Sequence, residues 1–259
     1  MRIARFSVGD EPQFGIVEGQ PGAEVITVID GDPLYRQVQP TGQRLPLADV
    51  RLLAPVIPRS KVVCVGRNYA EHASELGNEV PKEPLTFLKP NTSVIGPGDG
   101  IVRPPQTSDL QYEGELGIVI GRICRHVPVE RAHDVIFGYV CGNDVTARDL
   151  QKSDGQWTRA KGFDTFCPIG PWIETDLDLS DLAVTTTVNG ELRQSGRTSQ
   201  LIFDVPTILA YITSVMTLLP GDIVLTGTPA GVGPMDVGDE VSVTVEGIGT
   251  LTNRVISHD

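Results

Sequence analysis

Over the first 55 residues of the 259-residue chain, apolar positions come in short runs that alternate with polar ones, RIARFSV, QFGIVEG and EVITVI, broken by Gly, Pro and Asp. Period-two alternation bounded by turn formers predicts short, half-buried strands. After the Pro-flanked LLAPVIP the pattern changes, and from Lys61 onward the apolar runs lengthen: LGIVIG, VIFGYVCG, AVTTTVNG, GDIVLTG and EVSVTVEGIGTL. Among them Val188-Asn189-Gly190-Glu191 predicts a hairpin, because Asn-Gly supplies the positive φ angles of a type I′ turn. Helical patterns are few. They are NYAEHASELG, closed by Gly77; VTARDLQK, following Asp144; and DVPTILAYITSVMTLL, with Asp204 as N-cap and an end before Pro220-Gly221. The expected fold class is α+β and β-dominated, with a small β-rich N-terminal domain over residues 1–55 and a larger mixed domain over 56–259.

A hydrophobic content of 40% supports a sizeable core. The formal net charge of -12 argues against nucleic acid, which wants a basic face. No run approaches the roughly 20 apolar residues of a membrane span, and the start, MRIARFSVGDEPQFG, lacks the apolar segment of a secretion signal. A cytoplasmic chain that binds neither nucleic acid nor membrane is the expectation. Cys64, Cys124, Cys141 and Cys167 lie far apart in apolar surroundings without C-x-x-C spacing, so they read as buried small hydrophobes rather than zinc ligands or disulfides.

The stretch LQYEGELGIVIGR places two acids at the head of an apolar strand. Side chains two apart share a face, so Glu113 and Glu115 are forced together and must be protonated, paired with basic groups or bridged by a cation; E-x-E alone also suits an exposed edge strand. Asp144 ends the apolar strand VIFGYVCGND, where a side chain can enter a pocket or cap the following helix. Three carboxylates would make an oxygen set suited to Mg²⁺, Mn²⁺ or Ca²⁺ rather than zinc. His72 and Glu75 share a face of a predicted helix, either as a base with its orienting carboxylate or as a solvated polar face. Lys161 in WTRAKGFDTF, its stem covered by Trp157 and Phe163, could present its ammonium to an anion. TGTPAGVG, Thr226 to Gly233, could bring backbone amides to an anionic ligand or be a plain turn; it lacks the G-K-[ST] ending of a P-loop.

From Val62 to the C-terminus the series VGRNYAEHA, FLKP, YEGELGIVIG, GYVCGNDVTARDLQ, WTRAKGFDTF, NGELRQ and GDIVLTGTPAGVG resembles the fumarylacetoacetate hydrolase family. The resemblance implies a mixed β-roll catalytic domain, usually a homodimer, that acts in aromatic-compound catabolism. It implies a Mg²⁺ or Mn²⁺ ion held by Glu113, Glu115 and Asp144, with Arg148 behind those carboxylates. It further implies that Gln151, Lys161 and Thr228 contact a 2-oxo acid, and that His72 with Glu75 lies on a lid helix. Some family members add a fourth carboxylate, for which Asp109 is the nearest in sequence. The implied chemistry passes through a metal-stabilised enolate: hydrolysis of an acylpyruvate or fumarylpyruvate-like compound, with 2-hydroxyhepta-2,4-diene-1,7-dioate isomerisation and decarboxylation of oxaloacetate or of 5-carboxymethyl-2-oxo-hex-3-ene-1,7-dioate as alternatives. A 2-oxo acid binding module without turnover is the reading from another class.

Overall fold

The computed structural model describes residues 1–75, 77 and 79–258. Among these, strands dominate. The largest sheet runs, edge to edge, through Pro40–Pro46, Val25–Ile29, Pro12–Glu18, Arg2–Ser7, Cys167–Glu174, Ile136–Asn143, Gly114–Ile120, Ile223–Leu225, Val62–Gly66 and Leu85–Lys89. Its neighbours are antiparallel except Ile223–Leu225 with Val62–Gly66, which are parallel. The β-rich N-terminal segment joins this sheet directly, since Ile3 pairs with Ile173. A second sheet orders Glu191–Arg197, Ala183–Val188, Glu240–Val245, Gly249–Ser257 and Gly100–Arg103.

The two sheets pack face to face, and their burial patterns differ for that reason. Ala183–Val188 and Glu240–Val245 bury alternate residues, Val184, Thr186 and Val188 against Val241, Val243 and Val245, as expected of a sheet with one face on the core. Gly114–Ile120, covered on both faces, is buried at every position. Leu116, Ile118 and Cys141 from the large sheet share a core with Val184, Val243 and Leu251 from the second. The sheets approach closely at Gly114, where an added Cβ would stand 2.1 Å from Thr186 Oγ1. The glycine between the two glutamates is thus a packing requirement.

Local signals held in most places. Asn189 and Gly190 have φ of 51 and 79, and they join Ala183–Val188 to Glu191–Arg197 as the hairpin rule requires. Asp204 caps the Val205–Val215 helix by accepting from the Thr207 N–H at 2.9 Å, and Val205, Ile208, Leu209 and Ile212 form its buried stripe. That helix stops well short of Pro220, because the Leu218 N–H and C=O pair at 3.0 Å with the Cys124 backbone and pull the chain into an extended bridge. NYAEHASELG forms a helix over Ala70–Glu75, and Gly77 has φ 69; Leu76 lies outside the described residues. VTARDLQK becomes a short strand, Thr146–Ala147, followed by a helix over Arg148–Asp154. Its cap position is Ala147, so Asp144 is not an N-cap; its carboxylate is turned to lysines instead. A short helix, Thr158–Lys161, was not expected from the pattern. All four cysteines are buried and free. No helix among the described residues is long and apolar enough to cross a membrane.

Gly114→Ala should lower stability by about 1–3 kcal/mol, the usual cost of forcing a methyl into a packed core. Chemical denaturation checks this, and the double variant Gly114→Ala/Thr186→Ala should recover part of the loss.

Candidate active site

Glu113 falls between the Leu110–Tyr112 and Gly114–Ile120 strands, which belong to different sheets. Its backbone is tied to the neighbouring strand end: the Glu113 N–H donates to Asn143 Oδ1 at 3.0 Å, and the Asp144 N–H donates to the Glu113 carbonyl at 2.8 Å. Glu113, Glu115 and Asp144 thereby converge, with one oxygen of each within 4.8 Å of the others, and all three are buried. Asp109 is not in this cluster. Its carboxylate accepts from Gln111 Nε2 and its carbonyl from the Arg148 N–H.

Three buried cations face the three acids. Lys161 Nζ donates to Glu113 Oε2 at 2.8 Å and to Asp144 Oδ2 at 2.6 Å, and Arg148 Nη2 donates to Glu113 Oε1. The ring beneath Lys161 Nζ is Phe87, 5.1 Å from its centroid. Lys89 Nζ stands 2.7 Å from Asp144 Oδ1, but its three N–H bonds are directed at the carbonyls of Val145, Lys161 and Phe166. The contact is therefore an ion pair without a hydrogen bond, and Asp144 Oδ1 is left as a buried oxygen without a donor.

The charges respond accordingly. Burial opposes ionisation of Glu113, yet Lys161, Arg148 and His72 together hold its carboxyl well below the usual range. Glu115, whose nearest donor is the Gly227 N–H at 2.7 Å, is pushed well above that range by burial and by Asp144 and Glu113. Burial works against the Lys161 ammonium, but Asp144 and Glu113 outweigh it and raise its pKa. Oxygen donors of this number and charge, one of them lacking any partner, fit a hard divalent cation.

A cavity of about 210 Å³ opens onto the cluster, lined by His72, Glu113, Glu115, Arg148, Gln151, Lys161 and Thr228, among others. Every sequence-predicted site residue except Asp144 and Glu75 lines it; Asp144 lies behind Lys161, to which it is paired, and Glu75 touches His72. His72 is buried, with Nδ1 3.3 Å from Glu75 Oε2. A proton on Nδ1 shared with Glu75 leaves Nε2 with the lone pair a base needs. Glu75 also accepts from the Gly231 N–H at 3.0 Å, fastening the helix to the TGTPAGVG loop. That loop does present amides to anions, but Glu115 and Glu75 of this same chain are the anions they reach.

Two assigned residues present different atoms from those their types suggest. The Thr228 hydroxyl donates to the Gly114 carbonyl and accepts from Gln194 Nε2, so the donor Thr228 has left is its backbone N–H. Gln151 Oε1 accepts from Arg148 Nη1 at 2.6 Å, which leaves the Gln151 amide N–H bonds for the cavity.

Sequence reasoning missed Lys89 and Gln194. Buried Gln194 accepts from the Gly114 N–H and donates to Thr228 and Pro229, clamping the loop onto the Glu-Gly-Glu strand. Both residues sit inside quoted motifs, FLKP and NGELRQ, which is the one signal that could have found them.

The family model described as fumarylacetoacetate (FAA) hydrolase C-terminal matches residues 61–256, and one described as Rv2993c-like, N-terminal matches residues 1–55. A solved structure of 5-carboxymethyl-2-hydroxymuconate delta-isomerase from Mycobacterium smegmatis is 52% identical over 100% of both chains, with a TM-score of 0.93. The mitochondrial oxaloacetate decarboxylase of Dictyostelium discoideum is 46% identical over 73% of this chain and 90% of its own length. Maleylpyruvate hydrolase from Sphingobium sp. SYK-6, solved with manganese (II) and pyruvate, is 33% identical over 100% of both chains, with a TM-score of 0.81. The chain belongs to the fumarylacetoacetate hydrolase family.

Lys161→Met would leave Glu113 and Asp144 without their shared cation, a loss of about 3–5 kcal/mol for a broken buried pair. Thermal melting should fall accordingly, and added Mn²⁺ should raise it more in the variant than in the parent.

Proposed function

We propose that the chain is a Mg²⁺- or Mn²⁺-dependent enzyme of 2-oxo acids whose reaction is hydrolytic cleavage of an acylpyruvate or fumarylpyruvate-like substrate. The observation that carries the reading is the His72–Glu75 contact at 3.3 Å, with His72 buried and lining the same cavity as Glu113 and Glu115. The manganese and pyruvate of the Sphingobium hydrolase structure support both the ion and the substrate end.

Glu113, Glu115 and Asp144 would hold the divalent ion, which would supply Lewis-acid charge at the 2-oxo acid end of the substrate. Lys161, with two of its N–H bonds committed to Glu113 and Asp144, has one left to hold that same end. The Gln151 amide and the Thr228 N–H complete its seat. His72 Nε2 takes a proton from water, and Glu75 steadies the imidazolium that forms. The water oxygen adds to C4, the C3–C4 bond breaks, and its electron pair passes to C3 as pyruvate enolate, which a proton converts to pyruvate. The other product is the carboxylate of the acyl group. Arg148 holds Glu113 in place throughout.

A second reading is proton transfer without water: isomerisation of a hydroxy-dienoate, with oxaloacetate decarboxylation as its neighbour in chemistry. The 52% identity to the Mycobacterium smegmatis isomerase and the 46% identity to the Dictyostelium decarboxylase favour it. Residues 1–55 and 56–259 would act as N-terminal and catalytic domains in either case, a division that the two family-model matches support, in a cytoplasmic homodimer.

Assay of acetylpyruvate, fumarylpyruvate, oxaloacetate and a hydroxy-dienoate, with EDTA and after restoring Mg²⁺ or Mn²⁺, separates the readings. EDTA should abolish turnover. His72→Ala should cut acylpyruvate cleavage by about 10²–10⁴-fold while largely sparing oxaloacetate decarboxylation. Cleavage that survives His72→Ala, or isomerisation that outruns it in the parent, would reject hydrolysis.

A further inference from the structure

The cavity that holds the carboxylate cluster is also lined by two cations that take no part in it, Arg67 and Lys152. In a chain with 21 basic and 33 acidic residues, acidic partners are plentiful, and Lys61, Lys89, Arg148 and Lys161 each have one. Arg67 and Lys152 have neither an ion-pair nor a hydrogen-bond partner among the described residues; the Arg67 guanidinium lies over the Trp157 ring, 5.8 Å from its centroid. Trp157 lines the same cavity and packs edge-on to Phe87 at 5.2 Å. It lies so close to Gly66 that an added Cβ there would fall 2.8 Å from the indole.

Arg67 is also held in a costly conformation. Its φ is 57, the left-handed region where glycine or asparagine is favoured. The neighbouring chain enforces this: the Asn68 amide donates to the Phe203 and Thr226 carbonyls at 3.0 and 2.8 Å and accepts from the Phe203 N–H. A long cationic side chain kept at a position that suits glycine, aimed into a pocket and unpartnered, points to a ligand contact.

We propose that Arg67, with Lys152 in support, recognises a second carboxylate on the substrate, so that the site prefers 2-oxo acids charged at both ends. This rests on the reading of the cavity as a 2-oxo acid site. A planar guanidinium lying against an aromatic ring offers a carboxylate paired N–H donors in a fixed plane. The neutral Phe87 and Trp157 rings would seat the carbon chain between the two charged ends.

The test is calorimetric binding, in the presence of Mg²⁺, of 2-oxoadipate and 2-oxohexanoate, which have the same carbon chain and differ only in whether it ends in carboxylate or methyl. The parent should bind 2-oxoadipate about tenfold or more tightly, as one charge-assisted contact warrants. Arg67→Gln should collapse the ratio toward unity, Arg67→Lys should keep part of it, and Lys152→Gln should lower it less. Arg67→Gly should collapse the ratio without lowering the melting temperature, since glycine takes this φ without strain; a lower melting temperature would mean that Arg67 serves the fold instead. Equal binding of both acids by the parent, or a ratio that survives Arg67→Gln, overturns the proposal and leaves the 2-oxo acid reading intact. Failure of both acids to bind overturns that reading and this proposal together.

Discussion

Three carboxylates buried within 4.8 Å of one another must either take up protons or have positive charge buried with them. The rest of the structure follows from meeting that condition. Lys161 bridges Glu113 and Asp144, Arg148 closes on the far oxygen of Glu113, and Lys89 stands against Asp144. The balance is incomplete at two points: Glu115 has the Gly227 amide rather than a cation, and Asp144 Oδ1 has no hydrogen-bond donor. Those two points leave oxygen donors that could take a divalent ion.

Holding such a cluster demands a frame that cannot relax around it. The Glu-Gly-Glu strand is buried on both faces, and at Gly114 the second sheet approaches too closely for any side chain. Gln194 binds the Gly114 N–H and the loop at Thr228 and Pro229 together, while Lys89 gathers carbonyls from Val145, Lys161 and Phe166. These polar groups are buried but well supplied with partners, so they stiffen the site rather than weaken it. The His72 helix is fastened more lightly, through Glu75 to the Gly231 amide. His72 is thus carried on a short helix at the cavity that Glu113 and Glu115 also line.

Local features were legible wherever the physics is local. The Asn189-Gly190 turn and the Asp204 cap depend on a few adjacent residues, and each formed as expected. The early end of the Val205–Val215 helix was not legible, because the cause is Cys124, far away in sequence. Asp144 illustrates the same limit: as the acid before a helix it reads as a cap, and only the folded chain turns it to Lys161 and Lys89.

The sequence by itself determined that His72 and Glu75 sit one helical turn apart and which motifs run in which order, because each is a matter of spacing along a helix or the chain. Glu113 lies at the break between two strands, not on one strand with Glu115, so the fold decided that the two acids meet. Tertiary structure alone decided which cation serves which acid, that the Thr228 hydroxyl is spent inside the protein, and that Lys89 and Gln194 belong to the frame. Glu113 and Lys161 are 48 residues apart, and Gly114 and Gln194 are 80. No local periodicity spans such distances; only the pairing of strands and the packing of one sheet on the other brings those groups within reach of a hydrogen bond.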